Sequence, residues 1–231
     1  MESAMRDDAM VDALGHVTRF RGKNLAGAVG RLEGLVAGKE RNSLTSLLGR
    51  EFVTMELLRA AVLVKRAASQ IDSIVHAAGI LLCLPEILET GGTIDAVSLA
   101  AGNTGKPFDL VTDRRIAEFT FIDWKGGPES IRKQKLFKDF YQLAEADTTK
   151  RRYLYFLGDE HAPKVFTSRT FCKEMLQKYA HLRDAFVEAH DVTLSVREYY
   201  DEKKNLVILE DLKLAAPYAA TAFVSMTDTQ T

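Results

Sequence analysis

Residues 108–125 read FDLVTDRRIAEFTFIDWK, and this stretch decides the fold of the chain. Two runs rich in β-branched and aromatic residues, 108–112 and 116–122, flank a polar segment at 113–115. Apolar runs of this length on either side of a short polar turn are typical of a β-hairpin. The sequence therefore predicts two antiparallel strands in the middle of the chain.

The length of the hairpin loop decides which side chains meet across it. If Asp113 and Arg114 form a two-residue loop, Asp109 faces Glu118, with Cβ atoms roughly 5 Å apart. If the loop has three residues, Asp109 faces Phe119 instead. The two-residue loop thus predicts two neighbouring carboxylates, which repel each other in apolar surroundings. A divalent cation between them would remove the repulsion.

Segments on both sides of the hairpin extend this predicted sheet. Residues 71–84 are apolar almost all round and predict a buried helix, and 93–99 alternate as a strand does. Residues 129–146 form an amphipathic pattern, and 151–157 (RRYLYFL) read as a central strand. A strand, a helix and a further strand in this order imply a right-handed crossover and a parallel pair. We therefore expect an α/β protein with a mixed sheet.

This arrangement resembles the PD-(D/E)XK nuclease superfamily, which has a restriction-endonuclease-like fold. The resemblance covers about residues 71–158 and implies an α/β/α core. An Asp near the end of one strand, a short turn and an acid on the next strand match its motif at Asp109 and Glu118. In that family the two acids bind Mg²⁺ with help from the main-chain carbonyl that follows the second acid, here Phe119. Thr120 stands where the family has its lysine.

The departure at Thr120 raises the question of which residue supplies the missing cation. Lys125 lies on the same strand, and a bulge or the strand end could bring it round to the face of Glu118. A lysine of the following helix, such as Lys133 or Lys135, is an alternative. The resemblance also implies that a helix before the first strand lends an acid to the metal, and Glu86 is the candidate.

The outer parts of the chain carry no catalytic pattern of their own. Residues 1–70 predict a helical N-terminal extension, with one helix from Asn42 through about residue 68. Residues 71–231 would form the core domain, including one C-terminal helix over 170–189. Residues 192–200 and 206–214 fit either a strand or a helix.

Charge is distributed unevenly along the chain. The 231 residues carry a net charge of −1, yet residues 106–183 contain 16 Lys and Arg against 11 Asp and Glu. The segment with the carboxylate pair is thus the basic part of the chain, as contact with phosphates requires.

The cysteines and the apolar segments bear on the compartment. Cys83 and Cys172 lie far apart in apolar surroundings, which predicts two reduced core thiols and a cytoplasmic protein. The uncharged apolar stretch 73–85 is too short to span a bilayer, so we expect no membrane segment.

Several enzyme classes lack their motifs in this sequence. It contains no GxSxG nucleophile elbow, no GxGxxG dinucleotide loop and no HExxH zinc motif. The resemblance therefore leads to a Mg²⁺- or Mn²⁺-dependent nuclease, with DNA as the expected nucleic acid and a homodimer as the expected assembly. Its catalytic residues would be Asp109, Glu118 and Lys125. The alternative is an inactive nuclease-like fold that binds nucleic acid or assembles proteins.

Overall fold

The chain divides into two compact units, Met1–Asp72 and Ser73–Thr231. The computed structural model describes residues 2–22, 24–37, 41–51, 53–99, 106–121, 130–158 and 162–223. The described residues of the first unit are helical, whereas the second unit contains a sheet covered by helices.

The described residues of the first unit form three helices and the first half of a fourth. They are α1 (Glu2–Arg21), α2 (Leu25–Val36), α3 (Arg41–Arg50) and α4 (Met55–Ile87). Thr54 caps α4, since its hydroxyl accepts the backbone N–H of Leu57 at 3.2 Å. The prediction of one helix from Asn42 to residue 68 is therefore wrong, because a new helix begins after Thr54.

The second unit is built on one mixed sheet. Its strands are β1 (Ile94–Val97), β2 (Leu110–Thr112), β3 (Arg115–Thr120), β4 (Arg151–Phe156) and β5 (Val207–Asp211). They lie side by side in chain order, with β1, β2 and β3 antiparallel and β3, β4 and β5 parallel. The predicted hairpin, the strand before it and the parallel strand after the crossover helix are all confirmed, and so is the mixed α/β class.

Helices follow each of the last three strands. They are α5 (Ser130–Ala144), α6 (Cys172–Met175), α7 (Ala180–Ala189), α8 (Val196–Lys203), α9 (Leu212–Ala215) and α10 (Pro217–Ala220), with 3-10 turns at Pro163–Thr167 and Thr221–Phe223. The prediction of one helix over 170–189 is wrong, because the chain turns at Gln177 and separates α6 from α7. Of the two ambiguous segments, 192–200 contains the start of α8, and 206–214 contains β5 and most of α9.

The two faces of the sheet carry separate cores. The second half of α4, with α9 and α10, packs on the face that contains Ala117 and Phe119 of β3. Helix α5 packs on the other face, against Ile116 of β3 and Leu154 of β4. Successive residues of a strand alternate between faces, so Glu118 and Thr120 belong to the α5 side.

Helix α4 buries only one of its sides. Ile80 and Cys83 are buried, whereas Ile74 and Leu81 are 63% and 48% exposed, so the prediction of a helix buried all round is wrong. The helix also continues past Pro85 to Ile87. Among the described residues, α4 alone has the length and apolar composition that could cross a membrane, which are also typical of a core helix.

Candidate active site

The hairpin has the two-residue loop that brings the acids together. Leu110 pairs with Ala117 and Val111 with Ile116, and one further step along this register sets the residue before Leu110 opposite the residue after Ala117. The Thr112 hydroxyl holds the turn by accepting two backbone N–H groups at 3.1 and 2.9 Å. Asp109 and Glu118 are therefore cross-strand neighbours, and the three-residue alternative is wrong.

Asp109 is held by hydrogen bonds from two elements. Its Oδ1 lies 3.3 Å from Nε2 of His76 on α4, and its Oδ2 accepts the backbone N–H of Phe119 at 2.9 Å. Burial raises the pKa of Asp109, but the hydrogen bonds from His76 and Phe119 outweigh burial and leave the pKa below its ordinary value. Asp109 is thus ionised under ordinary conditions.

Glu118 lies in a very different environment from Asp109. It is only 5% exposed. Burial, followed by the charges of Asp139 and Asp109, raises its pKa well above the ordinary value. The pKa of Glu118 is thus raised while that of its neighbour Asp109 is lowered, so Glu118 is the member of the pair that more readily holds a proton. A buried pair of carboxyl groups in which ionisation of the second member is disfavoured is a site that a cation could stabilise.

Two lysines of α5 converge beside this pair. Asp139 is fully buried and binds the ammonium groups of Lys135 and Lys138, each at 2.7 Å. The Nζ atom of Lys135 also donates to the carbonyl oxygen of Phe119 and to Oγ1 of Thr120, both at 3.4 Å. Burial lowers the pKa of Lys135, but the charge of Asp139 and the hydrogen bond to Asp139 raise it by more. The net pKa lies above its ordinary value, so Lys135 stays a cation.

The sequence named some of these residues and missed others. The predictions from the sequence included Lys135 as a substitute for the absent lysine. They did not include His76, Lys138 or Asp139. A usable signal existed for Asp139, because it lies within the apolar stripe of α5 and an unpaired buried carboxylate is costly. His76 is likewise a polar residue within an apolar stretch of α4.

The remaining predicted residues lie elsewhere or outside the description. Lys125 is outside the described residues. The Glu86 carboxylate accepts the backbone N–H groups of Tyr218 and Ala219 at 3.1 and 3.2 Å, so it caps α10. Glu86 follows His76 by ten residues of one helix, which separates the two by about 15 Å along the axis. Because His76 contacts Asp109, Glu86 is not brought to the acid pair.

The donor set suits Mg²⁺ better than zinc. Among the described residues, no three His, Cys, Asp or Glu side chains form a metal-ligand group. Mg²⁺ does not need one, because it commonly uses one or two carboxylates and completes its shell with water and phosphate oxygens. Asp109, Glu118 and the Phe119 carbonyl offer three oxygens of that kind. These residues therefore fit a hard divalent cation.

Comparisons with protein-family models, with curated proteins and with solved structures find no match for this chain.

Proposed function

We propose that this protein is a metal-dependent nuclease with a restriction-endonuclease-like core, in which Lys135 takes the place of the lysine missing at Thr120. The order of elements supports this assignment, since a helix, three antiparallel strands, a crossover helix and a parallel strand occur in succession. The function rests on the geometry of the hairpin and α5.

One observation carries the proposal. The ammonium group of Lys135 lies 3.4 Å from the hydroxyl oxygen of Thr120 and 3.4 Å from the Phe119 carbonyl. A lysine at position 120 would extend from the same backbone toward the same side of the sheet. Lys135 thus brings its positive charge from α5 to the place where the family's lysine would act, which Thr120 cannot do.

The residues divide the work between them. Asp109 and Glu118, with the Phe119 carbonyl, would hold Mg²⁺ or Mn²⁺, which supplies Lewis-acid activation when bound. Lys135 would stabilise charge on the phosphate oxygens of the substrate. His76 and the Phe119 N–H orient Asp109. Asp139 fixes the position of Lys135, and its own buried charge is compensated by two ammonium groups.

The expected substrate, assembly and compartment are part of the same proposal. The substrate is a nucleic acid, with DNA as the first choice, because the basic segment 106–183 contains the acid pair. A homodimer would bring two such sites to the two strands of a duplex. Free buried Cys83 and Cys172 support a reducing compartment such as the cytoplasm.

A second function is favoured by the ion pairs of α5. Asp139 already neutralises much of the charge of Lys135 and Lys138. A site whose lysine is engaged in this way could have lost catalysis and survive as a nucleic-acid-binding or assembly module. Metal binding at Asp109 and Glu118 without cleavage would identify that case.

Cleavage assays on duplex DNA, single-stranded DNA and RNA, with Mg²⁺ or Mn²⁺, test the proposal. The native chain should cleave at least one substrate, and Asp109→Asn should lower the rate by about 10²-fold or more, since it removes a ligand and a charge at the reacting centre. Asp95→Asn is the matched control, because Asp95 lies on the edge strand β1 and pairs with Lys150 at 2.8 Å. Equal rates for the native chain and Asp109→Asn would contradict the proposal.

A further inference from the structure

A polar groove runs along α5 beside the candidate site. It encloses about 790 Å³ and is formed by the first half of α5 together with α6 and the start of α7. Among the described residues that line it, three are cations, Lys133, Lys173 and Arg183, and one is a carboxylate, Glu174; Arg183 is paired with Asp184 at 2.8 Å. The described lining therefore contains more cations than carboxylates, in a chain whose net charge is slightly negative.

The line of groove residues on α5 leads toward the lysine cluster of the site. Ser130 and Gln134 line it, and Lys138 follows them at the same four-residue spacing, so the three residues share one line of the α5 surface. Lys138 in turn binds Asp139. The Nζ atom of Lys138 lies 6.0 Å from the centre of the Tyr179 ring. Tyr179 follows the groove-lining Gln177 by two residues.

The chemistry of the lining suits phosphates rather than bases. None of the described residues that line the groove is aromatic, so it offers no platform on which bases would stack. Lysine, arginine, amide and hydroxyl groups are the usual partners of phosphate oxygens, which position a nucleic acid without reading its sequence.

We infer that this groove binds the phosphate backbone of duplex DNA and leads it to Asp109 and Glu118. The inference rests on the proposed nuclease function and specifies where the substrate lies. Binding through this surface is independent of sequence and weakens with salt, because each phosphate contact releases condensed counterions.

The test is binding without cleavage. The affinity for a short labelled DNA duplex is measured by fluorescence anisotropy in EDTA over a range of salt concentrations. The variant Lys133→Gln/Lys173→Gln should bind about tenfold more weakly, and its slope of log affinity against log salt should shrink by about 1.8, or 0.9 for each lost contact.

A matched control separates local contacts from net charge. Lys204→Gln/Lys213→Gln removes the same charge from two exposed lysines outside the groove and should leave affinity near the native value. Thermal unfolding confirms that each variant is folded. Equal binding by the groove variant and the control would overturn the groove alone. Absence of binding by the native chain would overturn the nucleic-acid function on which the inference rests.

Discussion

In the proposed site, Lys135 supplies the positive charge that the family motif takes from a lysine at position 120, where this chain has a threonine. Thr120 keeps its side chain toward the α5 layer, where its hydroxyl donates to Oδ2 of Asp139 at 3.4 Å. Lys135 reaches the same carboxylate from the helix. Asp139 therefore provides a binding position that an ammonium group from either residue could occupy.

The protonation of Glu118 gives a stability prediction at the scale of one residue. Its folded pKa is raised by burial and by the nearby charges of Asp139 and Asp109. The protonated form is thus favoured in the folded chain. Its stabilising contribution is complete below the ordinary pKa of 4.5 and is lost as the pH rises through the raised value.

Substitution of Glu118 should remove this dependence. In EDTA, as the pH rises above the ordinary pKa of 4.5, native stability should fall relative to Glu118→Gln, because the glutamine cannot ionise. Asp109 does not interfere, since its lowered pKa places its own effect below 3.8. Denaturant unfolding at several pH values measures the difference. Parallel curves for the two proteins would show that Glu118 has an ordinary pKa.

The contact between α4 and the end of β3 packs beside the proposed site. Gly79 of α4 faces Phe121, whose ring stacks between those of Phe119 and Phe223 at centroid distances of 5.7 and 5.5 Å. A Cβ atom at Gly79 would lie 2.7 Å from Cζ of Phe121. The ring cannot move without disturbing the stack beside the Phe119 carbonyl.

Gly79→Ala should therefore destabilise the protein. Replacing glycine by alanine in a helix interior normally stabilises the folded state by as much as about 1 kcal/mol. Forcing a packed ring aside destabilises it by about 1–3 kcal/mol. Gly34→Ala in α2 is the control, because nothing lies within 4 Å of its added Cβ. Chemical unfolding should show opposite signs for the two variants. A stabilised Gly79→Ala would mean that the ring accommodates the methyl group freely.

Elements with strong local signals could be predicted from the sequence, and others could not. The hairpin followed from alternation around a polar turn, and α5 from its apolar stripe. The break between α6 and α7 was missed because apolar residues at helical spacing continue across it. The sidedness of α4 was missed because apolar composition alone does not show which side meets the sheet.

The site was predictable in its acids and less so in its cation. Asp109 and Glu118 follow from the register of one hairpin, which is local in sequence. Several lysines could have served as the cation, and only the packing of α5 on β3 brings Lys135 to Phe119 and Thr120. Glu86 was named by family resemblance, and its position on α4 takes it to α10 instead.

At the scale of the whole molecule, the residues of the proposed site belong to one unit. His76, Asp109, Glu118 and Lys135 all lie in Ser73–Thr231, as do both core clusters of the sheet. The first unit has its own buried residues, among them Ala13, Leu47 and Ala60.

A fragment of residues 73–231 should therefore fold and retain nuclease activity. We expect one cooperative unfolding transition, because the fragment contains both cores, and cleavage within about threefold of the full chain, because the transition-state contacts are unchanged. Circular dichroism and the cleavage assay measure the two properties. A folded but inactive fragment would show that residues 1–72 contribute to the site.

The central claim is that Lys135 does the work of the lysine that is absent at position 120. One comparison of cleavage rates tests this claim most directly. The native chain, Lys135→Ala and Lys135→Ala/Thr120→Lys are assayed with Mg²⁺ on the same DNA. We predict that Lys135→Ala lowers the rate by about 10²-fold or more, and that adding Thr120→Lys restores much of it, because Asp139 can hold the new ammonium group. A rate for Lys135→Ala equal to that of the native chain would contradict the account.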